Sequence, residues 1–136
     1  MEKMIDILKE QNLKVTPQRL AILNFLEKKT HPTIEEIYEE VKKNFPSISL
    51  ATIYKNINTL KDYNIVREIN TKDKLKYDIN LIPHFHAICK NCGKIEDYYD
   101  EDLLLHCKEY IEKNIKKDIE DLDIIFYTIC KDCAKA

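Results

Sequence analysis

The sequence predicts an α+β fold in two parts: a winged helix-turn-helix unit at the N-terminus, then a small α/β unit carrying a structural metal site. Three observations predict it. Capped amphipathic helical runs fill the first half of the chain. Two short β-prone runs, Ile65–Ile69 and Leu75–Ile79, follow them and form a hairpin. Two Cys-x-x-Cys pairs, Cys89/Cys92 and Cys130/Cys133, bracket the second half. The pattern changes near Pro83, which sets the expected domains at residues 1–82 and 83–136.

Residues 3–12 read as a helix with Met4, Ile7 and Leu8 on one face. Thr16-Pro17 is a helix start: threonine caps, and proline stands where its missing N–H is not needed. That helix runs to about Lys28 and turns Leu20, Leu23 and Leu26 inward. His31-Pro32 interrupts it. Thr33 with Glu36 makes a capping box for a third helix, with Ile34, Ile37, Tyr38 and Val41 facing the core. Phe45-Pro46 ends that helix, because the residue before proline is pushed out of helical geometry. Ser49 opens the fourth, whose buried stripe is Ile53, Ile57 and Leu60. The polar link Asn70–Lys74 is the hairpin tip, and Arg67, Lys72, Lys74 and Lys76 put positive charge on this wing.

In the second half, Phe85–Cys89, Lys94–Tyr99 and Leu122–Cys130 read as strands. Asp102–Lys117 reads as a helix turning Leu103, Leu104, Cys107, Tyr110 and Ile111 inward. Pairing such sheets across two subunits builds a homodimer.

Composition narrows the function. No run of about 18 apolar residues exists to span a membrane. The charged start MEKMIDILKEQ has no signal-peptide centre, so a cytoplasmic, reducing location is expected. There, four of the five cysteines in Cys-x-x-Cys pairs read as metal ligands before disulfides. Gly93 is the only glycine, which excludes glycine-rich phosphate loops. Residues 1–80 carry 14 Lys and Arg against 12 Asp and Glu, while residues 81–136 carry 8 against 12. The front half is thus slightly basic, which permits nucleic-acid binding without demonstrating it.

Two kinds of metal donor are interleaved. Cys89, Cys92, Cys130 and Cys133 offer four soft thiolates, the set for a closed tetrahedral zinc site. With no open coordination position, that zinc is structural. Cys107 falls on a helix face and reads as a small core residue, and its neighbour His106 as a surface residue. His84-x-His86, in extended chain, aims both imidazoles to one side, and Asp78 and Asp97 can reach the same place. His31 is either an ordinary loop residue or a further ligand. In the second case one ion ties the two domains together and couples metal occupancy to the orientation of the reading helices.

On the fourth helix Thr52, Lys55, Asn56 and Thr59 share a polar face. It is either a solvated face or one suited to base edges and phosphates in a major groove. Two readings from other classes stand beside this one. A metallohydrolase at the His/Asp site lacks a general base beyond the ligands and leaves the winged helix unexplained, and a zinc-stabilised interaction module would show no salt-dependent DNA affinity.

Taken together, TPQRLAIL, HPTIEEIY, SLATIYKNINTL, the H-x-H-A-I-C-x-x-C-G-K-I block and the last Cys-x-x-Cys resemble the ferric-uptake-regulator family, over nearly the whole chain. The resemblance implies a dimeric metal-dependent repressor, not an enzyme, that binds a double-stranded inverted-repeat operator. It implies a structural zinc and a regulatory iron(II) or manganese(II) held by His31, Asp78, His84, His86 and Asp97. Within the family the chain is similar to the peroxide-sensing branch, since iron-sensing members usually carry Glu where Asp97 stands. The further site of many members uses a residue between the paired histidines and a histidine before the last Cys pair. Here Phe85 fills the first place, and residues 119–129 hold no histidine. The branch implies that peroxide oxidises His31 and His84, releasing metal and DNA. The alternative is an iron-, zinc- or manganese-responsive repressor controlling metal uptake. The resemblance also carries DNA contact to Tyr54 and its helix, with Arg19, Thr52, Lys55 and Asn56 as candidates.

Overall fold

The structure is a computed structural model that describes residues 2–28, 31–71, 74–79 and 82–135. The chain divides into two compact units, Met1–Leu81 and Ile82–Ala136.

The first unit is a winged helix-turn-helix. Helices α1 (Glu2–Glu10), α2 (Pro17–Lys28), α3 (Ile34–Lys42) and α4 (Leu50–Asp62) precede the hairpin β1 (Val66–Asn70) and β2 (Leu75–Ile79). The caps lie where residue chemistry places them. The Thr16 hydroxyl accepts from the Arg19 N–H at 3.2 Å, and Ser49 accepts from Thr52. At Thr33 both bonds of the capping box form. One apolar core gathers Met4, Leu8, Ile22, Leu23, Leu26, Ile37, Val41, Ile53, Ile57 and Leu60 with Val66 and Tyr77 of the hairpin. Each such Ile or Leu contributes about 1.5–3 kcal/mol by leaving water. Leu20, expected inside, is only half-buried, and Ile22 is fully buried instead. The buried stripe of α2 is Ile22, Leu23 and Leu26, with Leu20 packed at its edge. Strands β1 and β2 pair antiparallel with Arg67 opposite Asp78 and Glu68 opposite Tyr77. The Lys61 ammonium pairs with Glu68, tying the end of α4 to the wing. Lys72 of the expected wing charge lies outside the described residues.

The second unit has strands β3 (Phe85–Cys89), β4 (Ile95–Tyr98) and β5 (Ile125–Thr128) with helices α5 (Glu101–Ile115) and α6 (Lys131–Ala134). The strand order is β4-β3-β5, with β3 antiparallel to β4 and parallel to β5. The last two strands are shorter than their β-prone runs, and α6 had no separate signal in the sequence. Helix α5 also corrects an expectation. Leu104 is buried and Cys107 and Ile111 are half-buried, but Leu103 is 40% and Tyr110 63% exposed. The apolar stripe of α5 is wider than the face it can bury within its own unit.

Candidate metal centres and nucleic-acid interface

The four-thiolate centre is built by parallel pairing. Register places Cys89 opposite Thr128, so the C-terminal ends of β3 and β5 lie side by side. The Lys90 N–H donates to the Thr128 carbonyl at 2.8 Å, and Cys130 follows two residues later. After Cys89 the chain turns back on itself. The Gly93 N–H donates to the Cys89 carbonyl at 2.9 Å, with Gly93 in the left-handed region at φ 79°. That conformation favours glycine and presents Cys92 back toward Cys89. The sulfurs of Cys89, Cys92, Cys130 and Cys133 all lie within 4.8 Å of one another, and Cys92 Sγ is 3.8 Å from Cys130 Sγ. Four sulfurs so gathered fit tetrahedral zinc.

The thiols are prepared unequally. The backbone N–H groups of Cys92 and Cys130 donate to Cys89 Sγ at 3.5 and 3.4 Å. They favour its thiolate and bring its pKa down to about 6 from the ordinary 9.0, against the opposing effect of burial. At Cys133 the Asn91 side chain favours the thiolate. Cys130, burial, Cys89 and Cys92 together outweigh it and push that thiol up to about 12. A divalent ion removes the conflict by neutralising the crowded charge.

The nitrogen and oxygen donors fall into two sets, one in each unit. In the first unit His31 stands in the left-handed region at φ 58°, a conformation histidine tolerates better than most residues. The chain leaving it is held against β2: the Tyr77 N–H donates to the Pro32 carbonyl at 2.9 Å, and Thr33 bridges to Lys76. The neighbouring β2 residue, Asp78, is buried, and its carboxylate lies within 4.8 Å of a His31 ring nitrogen. In the second unit His86 and Asp97 are register partners on β3 and β4, with Nε2 3.3 Å from Oδ1. The His86 ring is 1% exposed. His84, buried as well, sits beside this pair with its ring centroid 4.6 Å from that of His86. Its Nδ1 lies 2.7 Å from the Ile82 carbonyl, and the exposed Tyr99 ring stacks on it at 4.9 Å and 29°. Sequence reading passed over Tyr99 and Ile82. The register that sets Phe85 opposite Tyr98 would have set His84 opposite Tyr99, but register is not visible before strands are paired.

On α4, Thr52, Tyr54 and Lys55 are exposed and Asn56 is half-buried, while Ile53, Ile57 and Leu60 point into the core. The polar face therefore looks outward. Asn56 is also a link. Its Oδ1 accepts from Arg19 Nε at 3.3 Å, and its Nδ2 donates to the Thr52 carbonyl at 3.0 Å. Arg19 Nη1 donates to the Lys14 carbonyl at 2.8 Å. The guanidinium of α2 is thereby held beside the outward face of α4, a coupling that spacing did not disclose.

A winged helix followed by a small zinc-fitted α/β unit with His/Asp donors defines a metal-responsive regulator. The model of the ferric uptake regulator family matches residues 10–127, and the chain belongs to that family. It is 38% identical over 140 residues to the peroxide-responsive repressor PerR of Staphylococcus aureus, covering 98% of this chain and 90% of that protein. Among solved structures, the Campylobacter jejuni peroxide stress regulator superposes with a TM-score of 0.80 at 44% identity, over 96% of this chain and 98% of that one. The Helicobacter pylori ferric uptake regulator Fur, described as having three functional metal binding sites, superposes with a TM-score of 0.73 at 25% identity. That match spans 99% of this chain and 91% of the other.

Proposed function

We propose that this chain is a homodimeric, metal-dependent DNA-binding repressor that senses peroxide through oxidation of its own histidine ligands. Residues 1–82 read DNA, with Arg19, Thr52, Tyr54, Lys55 and Asn56 facing an inverted-repeat operator. Residues 83–136 form the dimer and hold the structural zinc. The observation that carries the reading is the division of donors. His31 and Asp78 belong to one unit, and His84, His86 and Asp97 to the other. Neither set completes a site, whereas five nitrogen and oxygen donors suit iron(II) or manganese(II) and leave one position of an octahedron open.

When bound, ferrous iron supplies the redox chemistry with peroxide. The chain supplies the rest: it fixes His31 and His84 as ligands, and oxygen added to either imidazole removes a donor. In this reading metal occupancy sets DNA affinity, because metal binds the DNA-competent arrangement better. Asp97, where iron-sensing members usually carry Glu, and the two peroxide-regulator relatives favour this over the alternative, control by iron, zinc or manganese supply.

The test uses duplexes selected from a random pool with manganese-loaded protein. Both metal forms should retain the duplex, with affinity falling steeply as salt rises. Mild peroxide should release it from the iron form alone, with one oxygen added to peptides containing His31 or His84. An iron form that keeps its duplex and gains no oxygen would refute peroxide sensing. A titration with each metal then shows whether supply is the signal.

A further inference from the structure

Three contacts converge on the His84 imidazole, all within the second unit. A backbone carbonyl can only accept, so the 2.7 Å contact with Ile82 makes His84 Nδ1 the protonated nitrogen and leaves Nε2 its lone pair. His86 meets the ring edge-on at 73°. Tyr99 covers its face at 4.9 Å and 29°. Tyr99 is 61% exposed, so little of it is buried core. The DNA-reading and zinc-site roles described above do not use it.

We propose that Tyr99 is a positioning residue of the regulatory metal site, its ring stacked on His84 so that the imidazole keeps its bond to Ile82 and presents Nε2 as the metal-facing nitrogen. This rests on the reading of His84 as a ligand. The physical reason is ring rotation. An imidazole whose ring face is uncovered can swing about its side-chain torsions or exchange tautomers, and each movement withdraws the donor lone pair. A stacked aromatic face removes that freedom without touching the ion. Groups that orient a ligand in this way typically change metal affinity 10–100-fold.

The test compares full-length, zinc-loaded wild type with Tyr99→Ala and Tyr99→Phe. Manganese(II) affinity is read from the free-ion EPR signal, and the His84 tautomer from imidazole 15N shifts before manganese is added. Tyr99→Ala should bind manganese about 10-fold more weakly and show mixed His84 tautomers. Tyr99→Phe, which keeps the stack and loses only the hydroxyl, should restore both readouts. Zinc content should be equal in all three. Unchanged affinity in the Ala variant, or a loss that Phe does not recover, overturns the proposal. His84→Ala separates it from the reading beneath it. If that variant binds manganese as tightly as wild type, or wild type does not bind, the ligand assignment has failed. The tautomer alone then decides: mixing in Ala but not in Phe supports Tyr99 as the positioning group, and no mixing refutes it.

Discussion

Asp97 shows how much depends on one methylene. Strand register sets its carboxylate 3.3 Å from His86 Nε2. In Asp97→Glu the longer arm must place the carboxylate differently against the ion proposed there. The expected outcome is manganese-dependent duplex binding close to wild type with a blunted peroxide response, read as oxygen added per histidine after equal exposure. Equal oxygen uptake would show that this position does not set the branch. The thiolates give a second prediction at the same scale. Cys89 falls from 9.0 unfolded to about 6 folded, so its thiolate stabilises the metal-free fold fully above pH 9 and progressively less down to pH 6. Cys133, raised to about 12, acts in the opposite sense and only above pH 9. Stability of the metal-free protein should therefore rise from pH 6 toward 9 and then decline. Urea midpoints across that range, compared with Cys89→Ala, check the sign, since the variant should lose most of the rise.

Among the elements, the turn into α3 serves two ends. Thr33 caps the helix, and both it and Pro32 attach to β2. His31 is thus fastened beside the strand carrying Asp78 by the backbone contacts of Pro32 and Thr33. Thr33→Ala removes the side-chain half of the capping box and should cost about 1 kcal/mol. Thr33→Ser should restore most of it. Urea midpoints measure the cost, and manganese affinity should fall in parallel as His31 loosens. A stability loss with no change in affinity would separate the cap from the metal site. Helix α5 makes the contrasting point. It leaves Leu105 and Ile115 exposed along with Leu103 and Tyr110, and β5 leaves Tyr127 exposed. In the proposed homodimer these apolar surfaces are the ones that a second copy would cover.

For the molecule as a whole, the two units differ in how they are held together. The first has a continuous apolar core from α1 to the wing. The second, from Ile82 to Ala136, buries among its described apolar side chains only Phe85, Ala87, Ile88, Cys89, Leu104 and Cys130, with His84 and His86 occupying interior positions. So small a core carries little stability by itself, whereas a structural zinc contributes on the order of 10 kcal/mol. Stripping zinc, or Cys133→Ser, should lower the melting temperature of the second unit well below that of the first, whose helices persist. Far-UV circular dichroism should then show an early partial transition and a later one near the wild-type temperature. A single transition unmoved by zinc loss would refute this account.

The sequence by itself determined the elements whose causes are local. Thr16, Thr33 and Ser49 fixed where helices begin, Phe45-Pro46 fixed where one ends, and apolar periodicity chose the inward faces of α3 and α4. The paired Cys-x-x-Cys motifs disclosed the zinc centre for the same reason, because each half is made within four residues. For the proposed second site, spacing grouped Asp78, His84, His86 and Asp97 and left His31 open, and family likeness implied the full set of five. Only the tertiary structure decided the parallel pairing of β3 with β5, the bond from Arg19 to Asn56, the exposure of Tyr110 and the stack of Tyr99 on His84. Each is a contact between distant segments, or a surface whose burial depends on how much facing area the fold supplies. A residue's own chemistry states what it can bind, but only the packed chain sets what lies within reach.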